Sequence, residues 1–459
     1  MSARADQLHA HRDFTAAELT ERRRLLIDRL GGRGTVLLPG VISTDGAFPP
    51  RQSNDFYYLV GLDPLGAYLR IDCETQRSTL YLKPRNAKRE DVDGPELCDE
   101  DGGFVREVSG IDEVRPLASL PGDLAGVSLL HVPRDPAEGF RQHKDTAAAY
   151  RRNVSADPFV GDHLSLPQHL HAKLAVLLPR ATLADVSHVL HDLRLTKSAA
   201  ELRLLREAGR LCGIAVQEAM RATKPGVREY QLAAVADYVF RAAGALGGAH
   251  KPIIAAGYAN IYAMHYWRLE SPLQSGDLVL MDYAPDLRYY TSDIGRMWPV
   301  DGTYAAEHRA MLGLCIEYHK LLLAEIRPGR TTNDIYAATR PTLQALVDGW
   351  DFADLDAEVA ARALLDSKRP LSHPVGMAIH DPGNHRTREL KVGDVFAVDP
   401  ELFDKKRRRY IRCEDTVVVT ETGCEVLTPC PLELDDIEAH MASGDVGMLD
   451  AFPVERMRR

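Results

Sequence analysis

The sequence predicts a protein of mixed α-helices and β-strands in two domains, and three observations carry this prediction. At 459 residues the chain is long enough for two or three domains with sizeable cores. Through about residue 155, helix-like and strand-like patterns alternate, which is typical of an α/β domain. A longer region with its own helices and apolar strands follows. We therefore expect a smaller α/β domain over residues 1–175 and a larger α+β domain over residues 176–459.

The first region opens with an amphipathic helix and continues with short apolar runs. Residues 16–30 carry apolar side chains at helical spacing behind a Thr start. The runs typical of strands are TVLLPG, FYYLVGL, AYLRID, TLYLKP and SLLHVP. Residues 155–185 are less periodic and contain Pro158, Pro167 and Pro179. The domain boundary is therefore expected in this stretch.

The second region contains a faint internal repeat. A long helix is predicted over 198–223, where Leu, Ile and Val recur at spacings of three and four. The segment KPGVREYQLAAVADYVF, from Lys224, then resembles RPGRTTNDIYAATRPTL, from Arg327, and their matched prolines lie 103 residues apart (225 to 328). Two such halves packed about a pseudo-twofold axis would place a site at their junction. Coincidence between two ordinary helix starts would produce the same pattern.

Composition excludes several classes of function. A net charge of −10 argues against a general binder of nucleic acid or of anionic membranes, and the basic run KKRRR over 405–409 is interpreted as a solvated hairpin tip. The seven scattered cysteines have no CxxC spacing and are expected to be reduced. The N-terminus has no apolar signal region, and no run reaches the roughly 18 apolar residues of a membrane span. The cytoplasm is the expected location.

Five potential metal ligands follow one another in the second region, each beside an apolar, strand-like run. They are Asp282, Asp293, His373, Asp399 and Glu414. Carboxylate oxygens with a single imidazole suit Mn, Fe, Co or Zn, and carboxylates can bridge two ions. The charges also balance, because four carboxylates match two divalent cations. Without metal the four acids would repel one another across a shared site.

Taken singly, these acids are weak signals, since an Asp at the end of a strand is more often a turn former or a helix cap. Asp282 and Asp293 gain weight as a pair. They flank YAPDLRYYTS, which predicts neighbouring antiparallel strands joined by a short turn. Glu414 would lie on the surface if its strand ended in solvent, but the flanking TVVVT run predicts burial.

Two further histidines and one arginine lie at suggestive places. His265 precedes Asp282 by 17 residues, and His380 follows His373 by 7. Near two cations and a bound carbonyl, such an imidazole could donate a hydrogen bond to a developing oxyanion, although a buried structural role has the same sequence signal. Arg412 shares a strand face with Glu414 and could hold a ligand carboxylate.

The ordered residues resemble the pita-bread metallopeptidases, most closely aminopeptidase P and prolidase. The strings that carry the resemblance are HY at His265, SDIGR, SHPVG and IRCEDTVVVT. In the first region, RQSNDFYYLVGLDP and PRNAKRED are similar to parts of the aminopeptidase P N-terminal domain. The resemblance covers most of residues 15–430 and is densest in the second region.

The resemblance implies a pita-bread catalytic domain behind an aminopeptidase P-like N-terminal domain. It also implies two divalent ions, manganese in this family, and removal of an N-terminal residue next to proline. Its ligand set would be Asp282 and Asp293 for one ion, His373 and Asp399 for the other, with Asp293 and Glu414 bridging.

The same resemblance implies the catalytic roles and the partners. A metal-bound hydroxide would attack the scissile carbonyl, Asp399 would accept a proton, and Arg412 would support the ligands. His265 and His380 would stabilise the tetrahedral intermediate. The partner would be a peptide with proline at its second position, and the chain would form a homodimer or a homotetramer.

The sequence departs from the family pattern at two places. The chain has Asp399-Pro400-Glu401 where the family usually has Glu-Pro-Gly, and Arg369 where a histidine usually lines the proline pocket. Three alternatives to an Xaa-Pro aminopeptidase therefore stay open. They are an Xaa-Pro dipeptidase, a hydrolase of non-peptide C–N bonds on the same fold, and a catalytically silent binding module.

Overall fold

The computed structural model describes residues 8, 10–43, 51–135, 138–443 and 447–448, and the chain divides into two compact units between Arg194 and Leu195. The boundary predicted after residue 175 would cut a helix, Leu166–Leu177, of the first unit. Pro167 does not interrupt this helix because it occupies the first turn, where a missing N–H costs nothing. The compact first unit therefore extends further along the chain than the predicted domain.

The first unit is a mixed sheet surrounded by helices. Its strands are β1 (Thr35–Pro39), β2 (Tyr68–Asp72), β3 (Arg77–Leu82), β4 (Glu113–Pro116), β5 (Leu129–Val132) and β6 (Thr182–Asp185). They are ordered β4-β3-β2-β1-β5-β6, with β1–β2 and β2–β3 antiparallel and the other pairs parallel. Its helices are α1 (Ala16–Arg29), α2 (Asn54–Val60), α3 (Ala87–Asp93), α4 (Gly102–Ser109), α5 (Leu120–Asp123), α6 (Lys144–Ser155), α7 (Leu166–Leu177) and α8 (Ser187–Leu195).

One predicted strand of the first unit is wrong. The run FYYLVGL belongs to α2 and its C-cap, Gly61, which adopts the left-handed conformation that ends a helix. Residues 56–60 are all buried, so the run has no polar face that would reveal a helical period. A short, wholly apolar run does not distinguish a buried helix from a buried strand.

The second unit contains a sheet that is antiparallel throughout. Its strands are β7 (Ile253–Ala256), β8 (Leu278–Asp282), β9 (Ile294–Pro299), β10 (Leu371–Pro374), β11 (Val395–Val398), β14 (Glu414–Val419) and β15 (Cys424–Val426), and a separate hairpin is formed by β12 (Glu401–Asp404) and β13 (Arg409–Arg412). The helices are α9 (Ala199–Ala222), α10 (Glu229–Ala242), α11 (Gly257–Ile261), α12 (Ala306–Glu325), α13 (Thr332–Gly349), α14 (Leu355–Arg362) and α15 (Leu434–Met441).

The strand order agrees with the predicted repeat. Six strands of the sheet run in the order β10-β11-β14-β9-β8-β7, three from each half, and the innermost strands β9 and β14 pair at the centre. The seventh strand, β15, pairs with β14. The helices α10 and α13 each begin four residues after their proline, Pro225 and Pro328. Gly226 and Gly329 both have positive φ, which the repeated Pro-Gly turn requires. The junction of the halves lies where β9 meets β14.

Several smaller expectations can be compared with the structure. All seven cysteines are free thiols. Residues 405–408 form the exposed tip of the β12–β13 hairpin, but Arg409 is buried and contacts Asp404 and Asp354. Among the described helices, none has the length and apolar character needed to cross a membrane.

Helix α9 has the predicted extent and packs through two glycines. Its N-terminus is capped by Ser198 with Glu201 in a capping box. A Cβ at Gly209 would lie 2.0 Å from the carbonyl oxygen of Leu427, and one at Gly213 would lie 2.1 Å from that of Pro429. The absence of side chains at these two positions therefore allows the chain after β15 to lie directly on the helix.

We expect Gly213→Ala to destabilise the protein by ~1–3 kcal/mol, because the methyl group forces two backbones apart. Gly349→Ala is the matched control, since Gly349 also lies in a helix and a Cβ there meets nothing within 4 Å. The control should be neutral or slightly stabilising, because alanine favours helix by up to ~1 kcal/mol. Urea unfolding of both variants measures the difference. Equal stability of the two variants would contradict the packing described for α9.

Candidate metal centre

The first two candidate ligands lie on adjacent antiparallel strands, as the sequence predicts. Asp282 is the last residue of β8, and Asp293 directly precedes β9. Asp282 pairs with Gly295 in the β8–β9 register. The position of Asp293 is held by Thr416 of β14, whose hydroxyl accepts from the Asp293 N–H at 2.8 Å and donates to its carbonyl at 2.9 Å.

The other three candidate ligands come from the second half of the sheet. His373 lies in β10, Asp399 directly follows β11, and Glu414 begins β14. Glu414 pairs with Gly295, so it lies beside the Asp293 end of β9. The sheet register therefore brings both halves of the repeat to one place. The surface alternative for Glu414 is excluded, because its side chain is fully buried.

Three of the five side chains form a group compact enough to hold one ion. One ligand atom each from Asp293, His373 and Glu414 lies within 4.8 Å of the others. His373 Nε2 is 3.3 Å from Asp293 Oδ2, and its Nδ1 is 3.2 Å from the carbonyl oxygen of Pro374. A histidine that binds metal through one nitrogen usually donates a hydrogen bond from the other, and His373 has this arrangement.

Arg412 joins the remaining carboxylates to this group. Its guanidinium Nη1 is 3.1 Å from Asp282 Oδ2, its Nε is 3.1 Å from Asp399 Oδ1, and its Nη2 contacts Glu414. Burial by itself lowers the pKa of Arg412, but Asp399 and its acidic neighbours raise it well above the usual value. The side chain is therefore a fixed positive charge among the four acids.

The donor set fits divalent cations. Asp282 Oδ1, Asp293 Oδ1 and Glu414 Oε1 are buried and accept no hydrogen bond from the described residues. Burial, followed by repulsion from Asp293, raises the pKa of Asp282. For Asp293, burial acts to raise the pKa, but the hydrogen bond and charge of His373 bring it below its usual value. Buried oxygens that face one another without donors are a suitable environment for cations.

The two predicted oxyanion histidines lie close to these ligands. The ring of His380 is 3.9 Å from that of His373, between centroids. His265 interacts electrostatically with Asp282, His380 and Arg412. It also lines a cleft of about 560 Å³, together with Tyr266, Trp267 and Arg268. His380 therefore lies beside the candidate ligand His373, and His265 lies near enough to Asp282 to interact with its charge.

His250 and Lys197, two basic residues that the sequence did not single out, also belong to this region. His250 Nε2 lies 3.7 Å from Asp282 Oδ1. Lys197 and Asp381 form a buried ion pair at 3.4 Å, and Asp381 accepts a hydrogen bond from the Ala378 N–H within the turn that carries His380. A single His or Lys beside an apolar run carries no specific signal, so neither residue could be selected from the sequence.

Comparison with known proteins follows the same division of the chain. Residues 203–421 match the family model described as metallopeptidase family M24, and residues 19–129 match that of the aminopeptidase P N-terminal domain. The Xaa-Pro aminopeptidase of Escherichia coli (strain K12) is 28% identical over 460 residues, which cover 94% of this chain and 99% of the relative.

Solved structures agree with these matches. Aminopeptidase PepP of Pseudomonas aeruginosa superposes with a TM-score of 0.74 at 28% identity, covering 94% of this chain and 98% of that one. Aminopeptidase P from E. coli with the inhibitor Pro-Leu superposes with a TM-score of 0.72 at 27% identity, covering 94% and 99%. The predicted fold class is therefore confirmed: residues 203–421 match metallopeptidase family M24, and residues 19–129 match the N-terminal domain of aminopeptidase P.

Proposed function

We propose that this chain is a metal-dependent aminopeptidase that hydrolyses the bond between an N-terminal residue and a following proline. The observation that carries the proposal is the convergence of four buried carboxylates and one imidazole where the two halves of the sheet meet. The M24 match and the relatives named Xaa-Pro aminopeptidase support the same activity. The proposed substrate is a peptide with proline at its second position.

The residues that would hold two divalent ions, proposed to be manganese, are Asp282, Asp293, His373, Asp399 and Glu414. Asp293, directly before β9, and Glu414, at the start of β14, would be shared by both ions, because they lie at one end of the central strand pair. When bound, the ions would supply a Lewis acid that polarises the scissile carbonyl and lowers the pKa of water.

The chain's own side chains then have separate tasks. Asp399 is the proposed proton acceptor, since its carboxylate is buried beside the other candidate ligands. His265 and His380 are proposed to donate hydrogen bonds to the substrate oxygen on which negative charge develops. Arg412 is proposed to hold Asp282 and Asp399 in place through its two contacts of 3.1 Å.

The location and the assembly are also proposals. Free thiols throughout the chain support a reducing compartment, and we propose the cytoplasm. Resemblance to the aminopeptidase P group supports a homodimer or a homotetramer.

The direct test is cleavage of Xaa-Pro peptides of increasing length in the presence of Mn²⁺. We expect wild-type protein to release the N-terminal residue from tripeptides and longer peptides, and a chelator to abolish the reaction. Asp293→Ala should lose bound metal and at least ~10²-fold in kcat, because it removes a shared ligand. Cleavage of dipeptides alone would instead identify a dipeptidase. No cleavage by metal-loaded protein would contradict the proposal.

The two departures from the family pattern contact each other. The guanidinium of Arg369 is 3.1 Å from Glu401 Oε2, and it lies over the ring of Phe403 at 5.5 Å from the centroid. Glu401 Oε1 accepts a hydrogen bond from the Tyr410 hydroxyl at 2.7 Å. The chain therefore has two linked differences from the family pattern. Position 399 is an aspartate in place of the longer glutamate, and Glu401 forms an ion pair with Arg369.

We expect the Arg369–Glu401 pair to act as a unit in substrate selection. Arg369→His alone leaves the Glu401 carboxylate without its cation, and Glu401→Gly alone releases the arginine. The double variant should recover activity relative to the singles, with a coupling of roughly 0.5–1 kcal/mol in kcat/KM, since one partner is largely exposed. A double-mutant cycle on Xaa-Pro and Xaa-Ala tripeptides measures this coupling. Additive effects on both substrates would argue against it.

We also expect metal uptake to release a proton from Asp399. Burial, followed by the nearby charges of Glu401, Asp293 and Asp282, raises its pKa to about 8 against the opposing effect of Arg412. Since a ligand carboxylate must be ionised, Mn²⁺ affinity should rise with pH up to about 8. Calorimetric titration at pH 6.5, in two buffers of different ionisation enthalpy, counts the protons released. Asp399→Asn is the control and should release fewer.

The same pKa determines a pH dependence of stability for the metal-free protein. The folded state holds this proton more tightly than the unfolded chain does, so the stabilisation is fully present below about pH 4 and is lost as pH rises through about 8. Asp399→Asn should therefore gain stability relative to wild type near pH 8. In the calorimetric titration at pH 6.5, metal uptake without proton release would contradict the raised pKa of Asp399.

A further inference from the structure

His250 is a buried histidine that the proposed reaction does not use. It lies in the segment before β7, and β7 pairs with β8 so that Ile253 is opposite Asp282. The residue is 8% exposed, and its ring packs edge-on against Tyr283 with 5.6 Å between centroids. Tyr283 is itself held by a hydrogen bond of 2.7 Å to Asp237. The imidazole is therefore fixed in place beside the Asp282 carboxylate.

The hydrogen bonding of His250 leaves Nε2 available as a ligand. Its Nδ1 is 2.8 Å from the carbonyl oxygen of Lys251, which can only accept, so Nδ1 carries the hydrogen. Nε2 faces Asp282 Oδ1 at 3.7 Å, and neither atom has a hydrogen-bond partner among the described residues. When Nε2 carries no hydrogen, its lone pair is directed towards the same point as the Asp282 carboxylate oxygen.

The spacing fits two ligands of one ion better than a hydrogen bond. A separation of 3.7 Å is too long for an N–H···O bond. Two donor atoms that each lie about 2.1 Å from one cation are roughly 3.0–4.2 Å apart, depending on the angle between the bonds. His373 shows the same pattern on the other side of the site, with Nδ1 near the next residue's carbonyl and Nε2 near Asp293.

We propose that His250 Nε2 is a sixth protein ligand, for the ion that Asp282 holds. The proposal rests on the proposed function, because the ion is one of the two assigned there. It would give each ion one imidazole, His250 for the ion assigned to Asp282 and His373 for the ion assigned to Asp399. Imidazole suits cobalt and zinc better than manganese. The second imidazole should therefore favour binding of Co²⁺ and Zn²⁺ over Mn²⁺, compared with a site that has one imidazole.

The test is metal binding, measured apart from activity. Isothermal titration of metal-free wild type, His250→Gln and His250→Ala with Co²⁺ and with Mn²⁺ gives both dissociation constants and stoichiometry. We expect both variants to bind one of the two ions about tenfold or more weakly, with a larger loss for Co²⁺ than for Mn²⁺. Metal-free melting temperatures should change by less than about 2 °C.

His308→Gln is the matched control. His308 is also buried, and its Nε2 also faces a carboxylate, at 3.6 Å from Glu307, but neither residue is among the assigned ligands. This variant should keep wild-type metal affinity. Unchanged affinity in the His250 variants would overturn the proposal, and so would a lowered metal-free melting temperature without a change in affinity, since that result identifies a structural His–Asp pair.

A wild-type measurement keeps the proposal testable if the variants fail to fold. X-ray absorption spectroscopy of protein loaded with two equivalents of Co²⁺ reports the imidazole scattering. His250 and His373 together give about one imidazole per ion, whereas His373 alone gives about half of one. The lower number would overturn the ligand assignment. A wild-type protein that binds neither ion would instead contradict the proposed function.

Discussion

The repulsion among four buried carboxylates is the constraint on which the rest of the catalytic unit depends. Asp282, Asp293, Asp399 and Glu414 lie where β9 meets β14, and all are buried. Like charges at short range in a dry interior are unstable unless cations compensate them. Arg412 supplies one fixed positive charge by contacting three of the acids. The buried carboxylate oxygens that accept no hydrogen bond within the described part of the chain are the atoms that divalent ions would neutralise.

A second set of buried polar contacts holds the ligand-bearing strands in register. Asp415, directly after Glu414, contacts Arg296 at 2.6 Å and His319 at 3.3 Å, and its neighbour Thr416 binds the backbone of Asp293. Breaking a buried pair by removing one partner leaves an uncompensated charge, so such contacts tolerate few rearrangements. The precision of the site therefore comes from strand pairing together with these side-chain bonds.

The site also differs locally from the family pattern, and the differences are physically linked. A shorter acid at Asp399 is followed by Glu401, whose carboxylate is held by Arg369 and Tyr410. Glu401 in turn contributes to the raised pKa of Asp399. On the opposite side, His250 adds an imidazole beside Asp282. Substitution of Arg369 or Glu401 would therefore change the charge around Asp399.

The sequence by itself determined the starts of α1, α9, α10 and α13, the order of the strands beside the candidate ligands and the chemistry of their side chains, because capping, Pro-Gly turns and donor type depend on neighbouring residues. The helical state of FYYLVGL and the contacts of His250, Arg369 and Arg412 were decided only by the tertiary structure. Arg412 contacts Asp282, although the two residues are 130 positions apart in the sequence. Such long-range contacts depend on sheet register and on burial by several elements, and local sequence patterns do not encode either.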